Sequence, residues 1–168
     1  LARMESFIGE NPADPASDFL HLKAGEMWLN RYNEMLEASG RPPPAALIGA
    51  VTNSLGLSRY HFAQILSRFT NSSHLGKSQL NLGWTLWEEG VLFGATNRFA
   101  DSEQAFRAAV DRLPRSEDQA LARFKLAESQ ARLGKHSEAI GQFAEVVSGY
   151  ADIPQARTNL FPKAQVAM

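Results

Sequence analysis

Residues 120–153 read ALARFKLAESQARLGKHSEAIGQFAEVVSGYADI, and this stretch decides the fold. Ser116 stands just before it with Gln119 three residues on, the spacing of a capping box that opens a helix. That helix runs to Gly134, a residue suited to the left-handed position past a helix end. From Ser137 to Ser148 a second helix follows. Ala139, Ile140, Phe143, Val146 and Val147 recur on one of its faces at the helical period. The unit is therefore helix, tight turn, helix.

Working outward, the same signals repeat. Ser17 and Asp18 open a helix to Ser39, stopped by Gly40 and by Pro42, Pro43 and Pro44. A short apolar stretch from Ala45 to Leu55 is expected to stop at Gly56. Ser58 is expected to cap a helix whose stripe is Phe62, Ile65, Leu66 and Phe69. A further helix spans Leu75 to Glu89 and ends at Gly90. Residues 90–97 read as an ordered loop, with Val91, Leu92 and Phe93 tucked under a neighbouring helix. Asn97 or Asp101 caps the next helix, which Pro114 halts after Leu113. Beyond Pro154 one more helix is expected, beginning near Asn159 so that Pro162 falls in its first turn. Alternating Val, Ile, Thr and Tyr runs are missing, so the expected fold class is all-α.

Composition narrows the function classes. The chain has 168 residues, 44% hydrophobic and 21% charged, with net charge −1. That is enough chain for one domain with a sizeable core. A balanced charge gives no reason to expect a nucleic-acid partner. With no cysteine, disulfide scaffolds, thiolate metal sites and cysteine nucleophiles are excluded, and the compartment stays open between cell envelope and cytoplasm. No run of 18 apolar residues is present, so direct membrane insertion is not expected. The start at Leu1-Ala2-Arg3-Met4 and the end at Met168 are read as the limits of a piece of a longer array. Residues 1–10 would then be the end of an earlier helix.

The turns at 11–14, 69–72, 113–116 and 150–153 resemble one another. Taking Asn11, Asn71, Arg115 and Asp152 as equivalent gives steps of 60, 44 and 37 residues. The last approaches the 34-residue period of a helix–turn–helix repeat. In residues 120–153, Leu126-Ala127 stands where that repeat has Leu-Gly, Gly134 at its turn, and Ala139 and Phe143 at its Ala-aromatic pair. Residues 76–114 carry Leu82-Gly83, Phe106, Ala109 and Pro114, with about seven extra residues in the loop. On these residues the chain resembles the tetratricopeptide repeat family. It departs from the pattern at Arg123 and Gln130, where aromatics are missing, and at Ser102. A Pro-x-Ser turn at Pro114-Arg115-Ser116 is also similar to the repeats of bacterial envelope-assembly lipoproteins. The resemblance implies antiparallel helix pairs stacked as a short right-handed solenoid over residues 1–168. Residues 1–75 would be divergent units, 76–114 and 115–153 the clearer ones, and 154–168 the start of another.

Nothing in the sequence marks a catalyst. His21, His61, His74 and His136 show no metal-site spacing, and His136 lies in a turn. Glu88-Glu89 and Glu117-Asp118 sit near helix ends, where a solvated or capping role fits. No cofactor is expected. The informative helix is that from Leu75. Leu82, Gly83 and Leu86 suit packing within its own unit. Leu80, Trp84 and Trp87 lie on another face, which is either a binding stripe or a core packed under Met27, Trp28 and Leu29. In the resembled family the free face lines a concave groove. The residues so placed are Lys77, Asn81, Trp84, Phe124, Lys125, Glu128 and Arg132. Three cations against one acid make this seam basic, favouring an acidic peptide or protein partner. The expected function is a non-catalytic protein-interaction scaffold. The alternatives are a homo-oligomerising module that stacks through its terminal helices and a regulatory domain of a larger enzyme.

Overall fold

The computed structural model describes residues 1–12 and 14–168; Ala13, within the turn expected at 11–14, lies outside them. Among the described residues the chain is all-helical, without strands. In order the helices are α1 (Ala2–Glu10), α2 (Ser17–Ser39), α3 (Ala45–Arg68), α4 (Leu75–Phe93), α5 (Thr96–Arg112), α6 (Glu117–Arg132), α7 (His136–Gly149), α8 (Pro154–Asn159) and α9 (Phe161–Ala167). Each long helix packs on the next in the chain. In addition α2 meets α4, α4 meets α6, and α6 meets α8.

The helices pair antiparallel, and small residues decide how closely. In α4, Gly76, Gly83 and Gly90 stand seven residues apart on one face. A Cβ added at each would lie 3.0 Å from Leu113, 2.7 Å from Phe106 and 2.9 Å from Phe99 of α5. Those three also stand seven apart and run in the opposite sense. Each ring of α5 thus rests where a side chain of α4 would have been. The α2–α3 pair repeats the device once, with Gly25 beneath the ring of Phe62 at 2.6 Å. In α6–α7, Ala120 and Ala127 share one core with Phe143, Val146 and Tyr150.

The course of the helices corrects two sequence readings. Gly90 does not end its helix: α4 continues to Phe93 and stops at Gly94, whose φ of 63° is left-handed. The expected loop at 90–97 is mostly helix, and Val91 and Phe93 are exposed rather than tucked away. Gly56 does not end a helix either. It lies inside the continuous α3, and Ser58, expected as a cap, is buried at mid-helix.

Contacts between pairs repeat as well. Ser58 Oγ meets Thr85 Oγ1 at 3.1 Å, and Ser102 Oγ meets Ser129 Oγ at 3.1 Å; both pairs are buried and 27 residues apart. A 44-residue step carries the first pair onto the second, the step read between Asn71 and Arg115. At the following step Arg115 pairs with Asp152, joining two turns taken as equivalent, and Arg115 also donates to the Gly149 carbonyl. The capping box at Ser116 is half formed. Ser116 Oγ accepts from the Gln119 N–H, but the Gln119 amide turns back and donates to the carbonyls of Val110 and Leu113. It thereby satisfies orphan acceptors at the end of α5.

Buried charge ties the middle of the fold. Glu88 and Glu89, expected in solvent, are each 5% exposed. Glu88 accepts from Tyr32 at 2.8 Å and from Arg41 at 2.7 Å. Glu89 accepts from Arg59 of α3 at 2.9 Å and lies 3.0 Å from Arg98 of α5. Burial and the Glu88 charge push the Tyr32 phenol well above its usual range. At the C-terminus the expected single helix is two short ones, broken at Leu160. Pro162 falls in the first turn of α9, where its missing N–H costs least. Ala156, Leu160 and Ala164 keep one inward face across the break.

Two histidines are internal. His21 Nδ1 and His61 Nδ1 are 3.0 Å apart across α2 and α3, and His61 Nε2 lies 3.7 Å from Glu5 of α1. Burial first, then His61 and Arg68, lowers the His21 pKa from 6.5 to about 4. Burial lowers His61 too, against the opposing pull of Glu5.

Two outcomes follow. Gly83→Ala should destabilise by about 1–3 kcal/mol, because a ring must shift. Gly56→Ala, with nothing within 4 Å of its added Cβ, should stabilise by up to about 1 kcal/mol; urea denaturation of both checks this. The histidines give a pH dependence. A pKa depressed on folding means the unfolded chain binds the proton first, so stability is full above about 6.5 and declines as pH falls toward 4. The loss attributable to His21 is on the order of 3 kcal/mol. Melting temperatures from pH 8 to pH 4 should show the fall, and His21→Gln should flatten it.

Candidate functional site

The seam expected from sequence is assembled by α2, α4 and α6, which follow one another along one side. Asn81 of α4 donates to Glu26 of α2 at 3.3 Å, and Glu26 also accepts from Lys23. Lys77 at the start of α4 binds both carboxylate oxygens of Asp118, at 2.8 and 2.7 Å. Lys125 of α6 reaches across to α4. Its ammonium is 4.5 Å from the centre of the Trp84 ring and 4.6 Å from that of Trp87. It also binds Glu128 at 2.6 Å. The Arg132 guanidinium lies 5.7 Å from the Trp87 ring and 5.9 Å from Phe99. Six of the seven expected residues thus face one seam, and each has a defined neighbour.

Four expectations change. Lys125 is 9% exposed, not a surface side chain; two indoles and a carboxylate enclose it. Phe124 belongs to the core, edge-on to Phe143 at 5.3 Å between ring centres. Adjacent residues on a helix point about 100° apart, so Phe124 turns from Lys125 toward α7 and reaches only the cavity at the end of the seam. The seam is also less basic than expected, because Asp118 and Glu26 join Glu128 along it. Leu82, expected inside its own unit, packs instead on Leu22, Phe62 and Ile65 of the preceding pair. Leu80 and Trp87 join the core shared with α5 and α6, while Trp84 is packed partly on that core and partly on the core of Leu29 and Tyr32. Trp84 is therefore partly core, and Met27 stays exposed.

Where the seam meets the C-terminal helices it opens into a cavity of about 440 Å³. Trp87, Phe124 and Phe143 line it, and Glu128, Arg132 and Lys163 stand with them. Glu128 is already engaged by Lys125. Arg132 and Lys163 are exposed, and among the described residues no carboxylate pairs with either. An apolar floor with two uncommitted cations can seat an apolar group beside a carboxylate. Lys163 had no signal in the sequence, since only the turn of α9 onto α7 brings it here. Trp87 was signalled by its three-residue spacing from Trp84. Among the described residues no group of three or more His, Asp or Glu side chains could hold a metal ion, and no helix is long and apolar enough to cross a membrane.

No family model, no curated protein and no solved structure matches this chain.

The packing of Lys125 predicts unequal lysines. Lys125→Ala should cost about 1–3 kcal/mol, since it strips a cation and its stem from two indoles and leaves Glu128 unpaired. Lys77→Ala, a half-exposed ion pair, should cost less than about 1 kcal/mol. Thermal melts distinguish them, and a red shift of tryptophan emission should accompany Lys125→Ala alone.

Proposed function

We propose that this chain is a non-catalytic interaction scaffold, a short solenoid of tetratricopeptide type that binds a peptide segment of a protein partner along the α2–α4–α6 seam. Antiparallel pairs, contacts from each first helix to the next first helix, and the 44-residue recurrence of the buried hydroxyl pair support the solenoid reading. The observation that carries the binding reading is the cavity at the end of the seam. Its floor is aromatic, and among the described residues no carboxylate pairs with its two cations. An apolar side chain of the peptide fills the floor, and a neighbouring carboxylate pairs with Arg132 and Lys163. Asn81 and Trp84 continue the contact along the seam. Lys77 and Lys125 hold the seam together internally and do not spend their charge on the partner.

The test uses peptides selected from a displayed random library on the purified chain. They should share an apolar residue next to an acidic one or a free C-terminus. Arg132 meets the Trp87 and Phe99 rings from an exposed position, so the Arg132→Ala/Lys163→Ala double variant should stay folded and lose no more than about 1 kcal/mol of stability. It should lose affinity about tenfold or more and show a weaker salt dependence by titration calorimetry. Selected peptides that bind the double variant unchanged, or a library that yields none, would overturn the reading.

A further inference from the structure

A second cavity lies where the end of α2, the turn into α3 and the end of α4 meet, bordering the core on which Trp84 partly packs. Its volume is about 330 Å³, toward the lower end of small-ligand sites. Tyr32 and Leu36 come from the end of α2, Pro42 and Pro43 from the turn into α3, and Val91 and Leu92 from the last turn of α4. None of these residues lines the peptide cavity. The inner wall is firm, since Tyr32 and Leu36 are 1% and 4% exposed and belong to one core with Val51 and Leu55.

The charge around this cavity is already cancelled. Its one ionic lining group is Arg41, whose guanidinium faces both oxygens of Glu88 at 2.7 and 3.5 Å. The Tyr32 hydroxyl donates to that same carboxylate. Residues 42–58 and 90–97, which supply four of the lining residues, contain no ionisable side chain at all. A ligand bearing a net charge would find no counter-charge here and would lose hydration on entry. The guanidinium has five N–H groups, and Glu88 does not occupy all of them. One uncharged acceptor on a ligand can therefore be met at the rim.

We propose that this cavity is a binding site for a small uncharged aromatic or aliphatic molecule carrying one hydrogen-bond acceptor. The apolar body packs between Leu36, Leu92 and the two prolines. The acceptor oxygen takes an N–H from Arg41. Exposed Val91, at the mouth, controls entry. Phe93 is exposed two residues on but does not line the cavity, so it separates true filling from adsorption to an apolar patch. The site is independent of the peptide reading.

The experiment uses two probes of one shape, neutral 2-acetylnaphthalene and anionic 2-naphthoate, with the whole chain followed by NMR and calorimetry. The neutral ketone should bind saturably, one per chain, and shift the resonances of Tyr32, Leu36 and Leu92. The naphthoate should bind about tenfold more weakly. Val91→Arg should weaken the ketone about tenfold or more, and Phe93→Ser by less than about twofold. Melting temperatures verify folding, and Pro42→Arg serves as a second mouth variant should Val91→Arg fail to fold. Lack of saturable binding, tighter binding of the naphthoate, or equal losses in Phe93→Ser and Val91→Arg would each overturn the proposal. A dimer in sedimentation that Val91→Arg abolishes would do so as well, since the cavity would then belong to a contact between copies.

Discussion

The close approach of α4 and α5 sets the geometry that the remaining helices follow. Gly76, Gly83 and Gly90 leave a flat strip on α4, and Leu113, Phe106 and Phe99 lie on it in reverse order. Glycine lowers helix stability by about 1 kcal/mol per site relative to alanine. Three in one helix are tolerated because each returns its loss as close contact, Gly83 and Gly90 with the rings of Phe106 and Phe99 and Gly76 with Leu113. Bringing the backbones together on this face turns the opposite flanks of α4 toward other helices. Leu80 and Trp87 enter the core shared with α6, and Leu82 reaches the core of α2 and α3. One helix therefore packs on α2, α3, α5 and α6.

That central position also explains the charges. A helix enclosed on several sides has little room for solvated side chains, yet α4 ends in Glu88 and Glu89. Each is buried and each is matched, Glu88 by α2 and its turn, Glu89 by α3 and α5. Removing a single partner from such a set would strand a carboxylate, which costs more than the pair contributes. The carboxylates therefore specify which helices meet α4 rather than adding much net stability. Lys125 obeys the same logic from the other side. Its charge is satisfied by Glu128 and by the faces of two indoles, so the cavity cations that no carboxylate among the described residues meets lie farther along, at Arg132 and Lys163.

The helical fold class was legible because capping and stop residues repeat: Ser116, Gly134, Pro114 and Pro154 mark real boundaries or their neighbours. Gly90 reads as a helix end because a glycine that ends a helix and a glycine that admits a ring are the same letter, and the deciding partner, Phe99, lies on another helix. Gly56 admits no ring; it lies inside the continuous α3 with nothing within 4 Å of an added Cβ. Gly83 was legible as a packing glycine because Leu82 precedes it in a recurring pattern. For the seam, spacing along one helix placed Lys77, Asn81 and Trp84 together. It could not show that Asp118 and Glu26 arrive from neighbouring helices to cancel the charge. Nor could it show that Phe124 turns inward to Phe143. The His21–His61 contact joins residues 40 apart, which no local period marks.

The chain's packing is sequential, and this separates its sensitivities. α1, with Glu5, packs on α2, and the histidine pair lies between α2 and α3. The aromatic cavity is made by α4, α6, α7 and α9. Only α4 and the helices it touches connect the two regions, and they do so through dense contacts and matched carboxylates rather than through a titrating group near neutrality. Proton uptake by the histidines, which their burial opposes, would act first on the packing of α1, α2 and α3, helices that line no part of that cavity. In an array whose helices meet only near neighbours, stability is a sum of local terms. A cost in one pair need not be transmitted to a surface built by the others. Acid sensitivity and the C-terminal cavity are therefore separable properties of one fold, set by different helices.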